Sequence, residues 1–354
     1  MNSPSDFLRM WEHQREFSWP DDGLRGGNRF LEIQSKKLDK IFISDSTEGY
    51  GFLNNTKELM KDINPKKLYP IADGFLYKDK SLWAPIPEEN IYCDPRINIW
   101  WVWNRIWSQS QGSKAITTGE DKLHHGDVKH LIRNYTTERE YKFISLNNNF
   151  KHGREILVEQ SSDEFIKDNW ISGYFSDRPG LRNFDKDDID DMAPPAVFYS
   201  ILFEQHCNKG YIQPFYESPA QNDSVTDYML MITEKTCIPF LLGTIAIPMN
   251  MFYVSEYEKL GFKFVKEING IKINRTIEWD VTEDSRDDKN PNSPHNWSRR
   301  QVHKLDKINE QNSLEDIKKV FLENQDIILH NQKLIMEYMT TDKYMKKLRD
   351  WMLS

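Results

Sequence analysis

Thr233-Glu-Lys-Thr-Cys-Ile-Pro-Phe-Leu-Leu-Gly-Thr-Ile-Ala-Ile-Pro248 holds a helix and a strand in immediate succession. That helix begins near Thr233 and closes at Gly243, because glycine readily takes the left-handed conformation that ends helices. Pro239 falls early enough to be tolerated or to cause a modest kink. Thr244 to Pro248 then reads as a short buried strand, and Ser255 to Leu260 as a second helix ended by Gly261. Alternation of this kind predicts an α/β fold.

The same rhythm extends outward. Glu140 to Leu146 is a strand candidate, Asn147 to Gly153 a loop, and Arg154 to Gln160 the start of a helix. Tyr211 to Phe215 is a short strand leading to Glu217-Ser218-Pro219, and Ala196 to His206 is apolar enough for a helix. Nearer the N-terminus, Leu38 to Ser44 reads as a strand feeding the polar loop Asp45 to Gly51, with a helix over Lys57 to Ile63. Loops that follow strands in such sheets face the ligand crevice. Trp100, Trp101, Trp103 and Trp107 are read as core in preference to an exposed acceptor platform, since buried aromatics are the commoner case. The aspartate-rich stretch Phe184 to Met192 and the polar stretch Val281 to Asn296 are read as loops, and Glu315 to Met352 as two helices. Three segments result: an N-terminal lobe over 1–139, a C-terminal lobe over 140–312, and C-terminal helices over 313–354.

With 354 residues the chain is long enough for two domains at roughly 100 to 200 residues each. The balance of 47 basic and 55 acidic residues, net −8, disfavours a broad electrostatic grip on nucleic acid or anionic membrane. Cys93, Cys207 and Cys237 are far apart and lack paired spacing, which suggests neither a zinc site nor a disulfide framework and fits a reducing cytosol. The run Cys237 to Phe252 is broken by Pro239, Gly243, Pro248 and Asn250 and falls short of the ~20 residues that span a bilayer, so no membrane insertion is expected.

A nucleotide diphosphate needs cations or backbone donors for its phosphates and an acceptor for its ribose hydroxyls. A helix N-terminus supplies donors through its free N–H groups and its dipole. With Thr233 as the cap, Glu234 and Lys235 lie in the first turn, where one accepts from ribose and the other offsets phosphate charge. Thr-Glu-Lys is equally an ordinary capping sequence.

Ile232 to Gly243, Ile245 to Pro248 and Tyr257 to Phe264 together resemble the C-terminal lobe of glycosyltransferases encoded by tailed phages and bacteria, and the T-E-K segment of α1,3-fucosyltransferases. Lys142 to Arg154 resembles that family's strand, Asn-containing loop and basic residue, and Glu217-Ser218 its short acidic segment. The resemblance spans about residues 140 to 265. It implies a GT-B fold, in which two Rossmann-like lobes face a central cleft. It also implies a nucleotide-sugar donor site formed by Asn147, Lys151, Arg154, Glu217, Thr233, Glu234, Lys235 and Thr236, and transfer without a metal or separate cofactor. Where fucosyltransferases usually carry Tyr three positions before the motif's Glu, this chain has Met231.

Sugar transfer with inversion needs a general base near the acceptor hydroxyl. Asp45, Glu48 and Asp73 are the candidates, with His124 and His125 behind them. The acceptor that the resemblance implies is a glycan or a hydroxylated pyrimidine in phage DNA, and the expected location is cytoplasmic, that of the host if a phage encodes the chain. The competing reading is a catalytically inactive GT-B relative that serves as a binding or assembly module.

Overall fold

A computed structural model of the chain describes residues 40–44, 60–61, 63–72, 75–76, 83–97, 99, 137–145, 147, 152–173, 176–182, 209–217, 230–232, 234–250, 253–276, 294–341 and 343–354. In chain order the strands and helices begin with β1 (Ile41–Ser44), β2 (Leu68–Ala72), β3 (Phe75–Leu76), β4 (Tyr92–Cys93) and β5 (Tyr141–Ser145). They continue with α1 (His152–Gln160), α2 (Asp163–Asp168), β6 (Trp170–Ile171), β7 (Gly210–Phe215), β8 (Leu230–Met231), α3 (Glu234–Leu241), β9 (Ile245–Pro248) and α4 (Tyr253–Lys259). The hairpin β10 (Glu267–Ile268) and β11 (Ile271–Lys272) follows, then α5 (Pro294–Gln311), α6 (Leu314–Glu323), α7 (Gln325–Thr340) and α8 (Lys343–Leu353). The fold is α/β with parallel sheets and closes in helices.

The chain divides into two compact units, one drawn from residues 1–98, 219–232 and 341–354, the other from 99–218 and 233–340. In the first, β1, β2 and β4 form a parallel sheet in that order. Its core includes Ile41, Leu68, Ile71, Trp83 and Ile91. Trp351 of α8 packs on Tyr92 and Tyr69, with ring centroids at 5.1 and 5.8 Å, and donates its indole N–H to the Glu89 carbonyl. Short strands β3 and β8 pair antiparallel.

The second unit is built on a four-stranded parallel sheet in the order β6-β5-β7-β9. Both faces are covered, so its strands are apolar rather than alternating. Phe143 and Ile212 lie side by side in the β5–β7 register, and Phe143 meets Phe165 of α2 with centroids at 4.9 Å. Leu157 of α1 and Val302, Leu305 and Ile308 of α5 belong to the same core. On the other face of β7, Tyr211 meets Phe321 of α6 and Phe215 meets Phe240 of α3.

Both helices flanking β9 end as their glycines require. Gly243 has φ 59°, and the Gly243 and Thr244 N–H groups donate to the Phe240 and Pro239 carbonyls. Gly261 has φ 95°, and the Gly261 and Phe262 N–H groups donate to Glu258 and Tyr257. This pair of crossed bonds satisfies carbonyls that a helix end otherwise leaves open. Buried Arg139 adds a cation at the same end of α3, donating to the Leu242 and Gly243 carbonyls at 3.2 and 2.8 Å and to Gly210 at 2.6 Å. Its guanidinium also lies 4.7 Å from the Phe321 ring centroid.

Two readings change in detail. Glu315 to Met352 carries three helices, because Asn324 caps one and the chain breaks again at Thr341. The loop expected to run to Asn296 ends earlier, since α5 starts at Pro294, where a missing N–H does no harm. The expected helix over 196–206, the aspartate-rich stretch and Trp100 to Trp107 lie outside the described residues. No helix among the described residues is long and apolar enough to cross a membrane.

Candidate functional site

Topology decides where a site can form in the second unit. The chain leaves β5 for β6 on one side, then returns to place β7 on the other. The direction of winding therefore reverses between β5 and β7, and sheets of this type bind ligands at the carboxyl ends of the strands flanking that reversal. Asn147 follows the end of β5, Glu217 the end of β7 and Asn250 the end of β9.

Asn147 is 3 % exposed. Its backbone N–H donates to the Ser172 hydroxyl at 2.8 Å, and its side-chain amide donates to Ser145 Oγ and the Ser172 carbonyl, both at 3.1 Å. It therefore ties the turn after β5 to the one after β6. Arg154, in the first turn of α1, is also buried.

Glu217 is 1 % exposed. The Asn250 side chain clamps its backbone, accepting from Glu217 N–H and donating to Glu217 C=O, each at 3.1 Å. So fixed, the carboxylate accepts from the Thr236 N–H at 2.9 Å and from the Thr236 hydroxyl. Thr236 is the third residue of α3, so Glu217 takes a backbone donor that the helix cannot satisfy itself. A carboxylate at this end also opposes the positive pole of the helix dipole. Thr236 Oγ1 meets the Tyr257 hydroxyl at 2.5 Å, and burial first, then the Glu217 charge, pushes the Tyr257 hydroxyl well above its ordinary range.

No protein-family model, curated protein or solved structure matches this chain.

Of the expected donor contacts, the fold gathers Glu217 and Thr236 into one hydrogen-bonded group and sets Asn147 at the neighbouring strand end. Thr236 is fully buried, its hydroxyl held between Glu217 and Tyr257, so it acts here as a positioning residue. The backbone of Glu234 and Lys235 forms the first turn of α3, while their side chains, with Thr233 and Lys151, lie outside the described residues. So do Asp45, Glu48, Asp73, His124 and His125, although β1 and β2, which precede the three acids, end on the same edge of their sheet. Among the described residues no group of His, Cys, Asp or Glu is arranged to hold a metal.

Sequence reasoning missed Asn250, Tyr257 and Ser172. Asn250 stands two residues beyond a proline that ends a strand, and Ser172 one residue beyond β6. Polar residues just past strand ends are the signal that marks them.

Proposed function

We propose that the chain is a glycosyltransferase of the GT-B class, moving a sugar from a nucleotide-sugar donor to an acceptor hydroxyl on a glycan or on a hydroxylated pyrimidine in DNA. The reading is supported by one observation above others: Glu217 orders the first turn of α3 at the carboxyl edge of a doubly wound parallel sheet. That turn carries Glu234 and Lys235. Departure of the donor leaves negative charge on a diphosphate. Lys235, Arg154 and the free N–H groups at the start of α3 would offset it, as preorganised donors do for developing charge. Asp45, Glu48 or Asp73 would take the proton of the acceptor hydroxyl.

The test is a thermal-shift panel of UDP, GDP, ADP, CMP and their common sugar conjugates on the wild type, Glu234→Ala and Lys235→Ala. A ligand at a hundred times its Kd stabilises the folded state by about 2.7 kcal/mol. A selective shift in the wild type, lost in both variants, is the expected result. A well-folded wild type that responds to none of the panel refutes the reading.

A further inference from the structure

Helix α5 carries two buried hydrogen-bond donors that find no acceptor among the described residues. Trp297 is 6 % exposed and Gln301 3 % exposed, yet neither the indole N–H nor the Gln301 amide N–H group finds a partner. Residues four apart lie on one side of a helix, and Lys304 follows a further turn along. Buried donors without acceptors are rare, because each gives up its hydration without recovering a hydrogen bond.

Two cations stand beside the Trp297 ring. The Lys304 ammonium lies 5.7 Å from the Trp297 ring centroid and the Arg300 guanidinium 5.9 Å. Burial above all, then the Arg300 and Arg275 charges, holds Lys304 below the ordinary lysine range. Among the described residues, no carboxylate pairs with Lys304 or with exposed Arg275. Neutral donors without acceptors, beside the cations Lys304 and Arg275 that pair with no carboxylate among the described residues, describe a place that lacks an oxyanion. A phosphate group offers several strong acceptor oxygens, and both the planar fork of arginine and the point charge of lysine suit it.

We propose that Trp297, Gln301 and Lys304 of α5, with Arg275 beside them, form a binding site for a diphosphate group. The site involves none of the residues named for the donor, and it does not depend on the glycosyltransferase reading. Its ligand is either free pyrophosphate or the diphosphate of a nucleotide, since these present the same chemistry.

Isothermal titration of the full chain with inorganic pyrophosphate and, separately, with UDP and GDP tests this on wild type, Lys304→Gln, Arg275→Gln and Gln301→Met. Loss of one charge-assisted contact weakens binding about tenfold or more, so Lys304→Gln and Arg275→Gln should each show that loss. Gln301→Met fills similar volume and removes an orphaned amide, so its ligand-free melting temperature should hold or rise while affinity falls. A merely structural glutamine would instead lower that temperature. Pyrophosphate binding with this pattern assigns the site to free diphosphate, and binding of a nucleoside diphosphate alone assigns it to a nucleotide. Binding of neither ligand, or binding unchanged in Lys304→Gln and Arg275→Gln, overturns the proposal. Nucleotide binding lost in Lys235→Ala but intact in Lys304→Gln likewise sinks this site, while leaving the donor-site reading standing.

Discussion

Thr236→Val isolates the group that orders the start of α3. The substitution keeps the branched shape and nearly the volume, so packing and side-chain entropy change little. What disappears is a fully buried hydroxyl that donates to Glu217 and meets Tyr257. Hydrogen bonds to charged groups contribute about 1.5–3 kcal/mol, and a buried hydroxyl left with fewer partners costs about 1–3 kcal/mol. Glu217 retains the Thr236 N–H, so the lower part of both ranges applies and the expected loss is about 3 kcal/mol. Urea unfolding followed by circular dichroism should show it as a lower midpoint for the second unit. At about 2–4 °C per kcal/mol for a unit of this size, the melting temperature should fall by about 6–12 °C. Tyr257→Phe in the same background supplies the control. Replacing both partners by apolar groups removes the unsatisfied hydroxyl, so the double variant should be less destabilised than the sum of the singles by about 1 kcal/mol. A single-variant loss within about 0.5 kcal/mol, the range of an ordinary surface change, refutes the reasoning. So does strict additivity.

The close approach of β5 and β7 depends on Gly210, where an added Cβ would lie 2.9 Å from Ile144. Gly210→Ala should therefore destabilise the second unit by about 1–3 kcal/mol, read as a lower urea midpoint. Gly243→Ala forces a side chain into a left-handed position and should cost about 1–2 kcal/mol, checked by thermal melting. In the first unit, burial above all, and then Asp94, raises Tyr92 to about 12, opposed by Arg96. The unfolded chain gives up that proton near 10, so the native state holds more protons between these values and stability falls as pH rises from 10 to about 12. Urea midpoints across that window should decline more steeply for the wild type than for Tyr92→Phe.

The sequence disclosed the second unit through its punctuation. Gly243 and Gly261 each close an expected helix, and both adopt the positive φ expected of a helix-ending glycine. The strand Ile245–Pro248 lies between them, within one residue of its expected start. What remained hidden depended on contacts distant in the chain. Asn250 reads as a turn residue, and nothing local says that its amide will hold the backbone of Glu217 across the carboxyl edge of the sheet. Arg139 reads as a charge before a strand, whereas the fold buries it against carbonyls more than a hundred positions away. Trp297 and Gln301 sit on a helix whose start fell inside an expected loop, so their shared side could not be read.

Occupancy at the start of α3 bears on how an anion could bind there. A helix presents its first N–H groups to whatever lies beyond its end. The Thr236 N–H is already committed to Glu217, which leaves the donors of Glu234 and Lys235 nearest the edge. Glu217 thus brings both order and a negative charge close to any phosphate held by that turn. Glu217→Gln separates the two effects, because the amide can still accept from Thr236 but carries no charge. If Glu217 acts only by positioning α3, a nucleoside diphosphate should bind Glu217→Gln as tightly as the wild type or more tightly, since repulsion is relieved. If its carboxylate accepts from a ribose hydroxyl, affinity should fall instead, and titration calorimetry with the responding nucleotide reads the sign directly. The double use of its Oε1 by Thr236, together with 1 % exposure, favours the positioning role and an affinity that holds or rises.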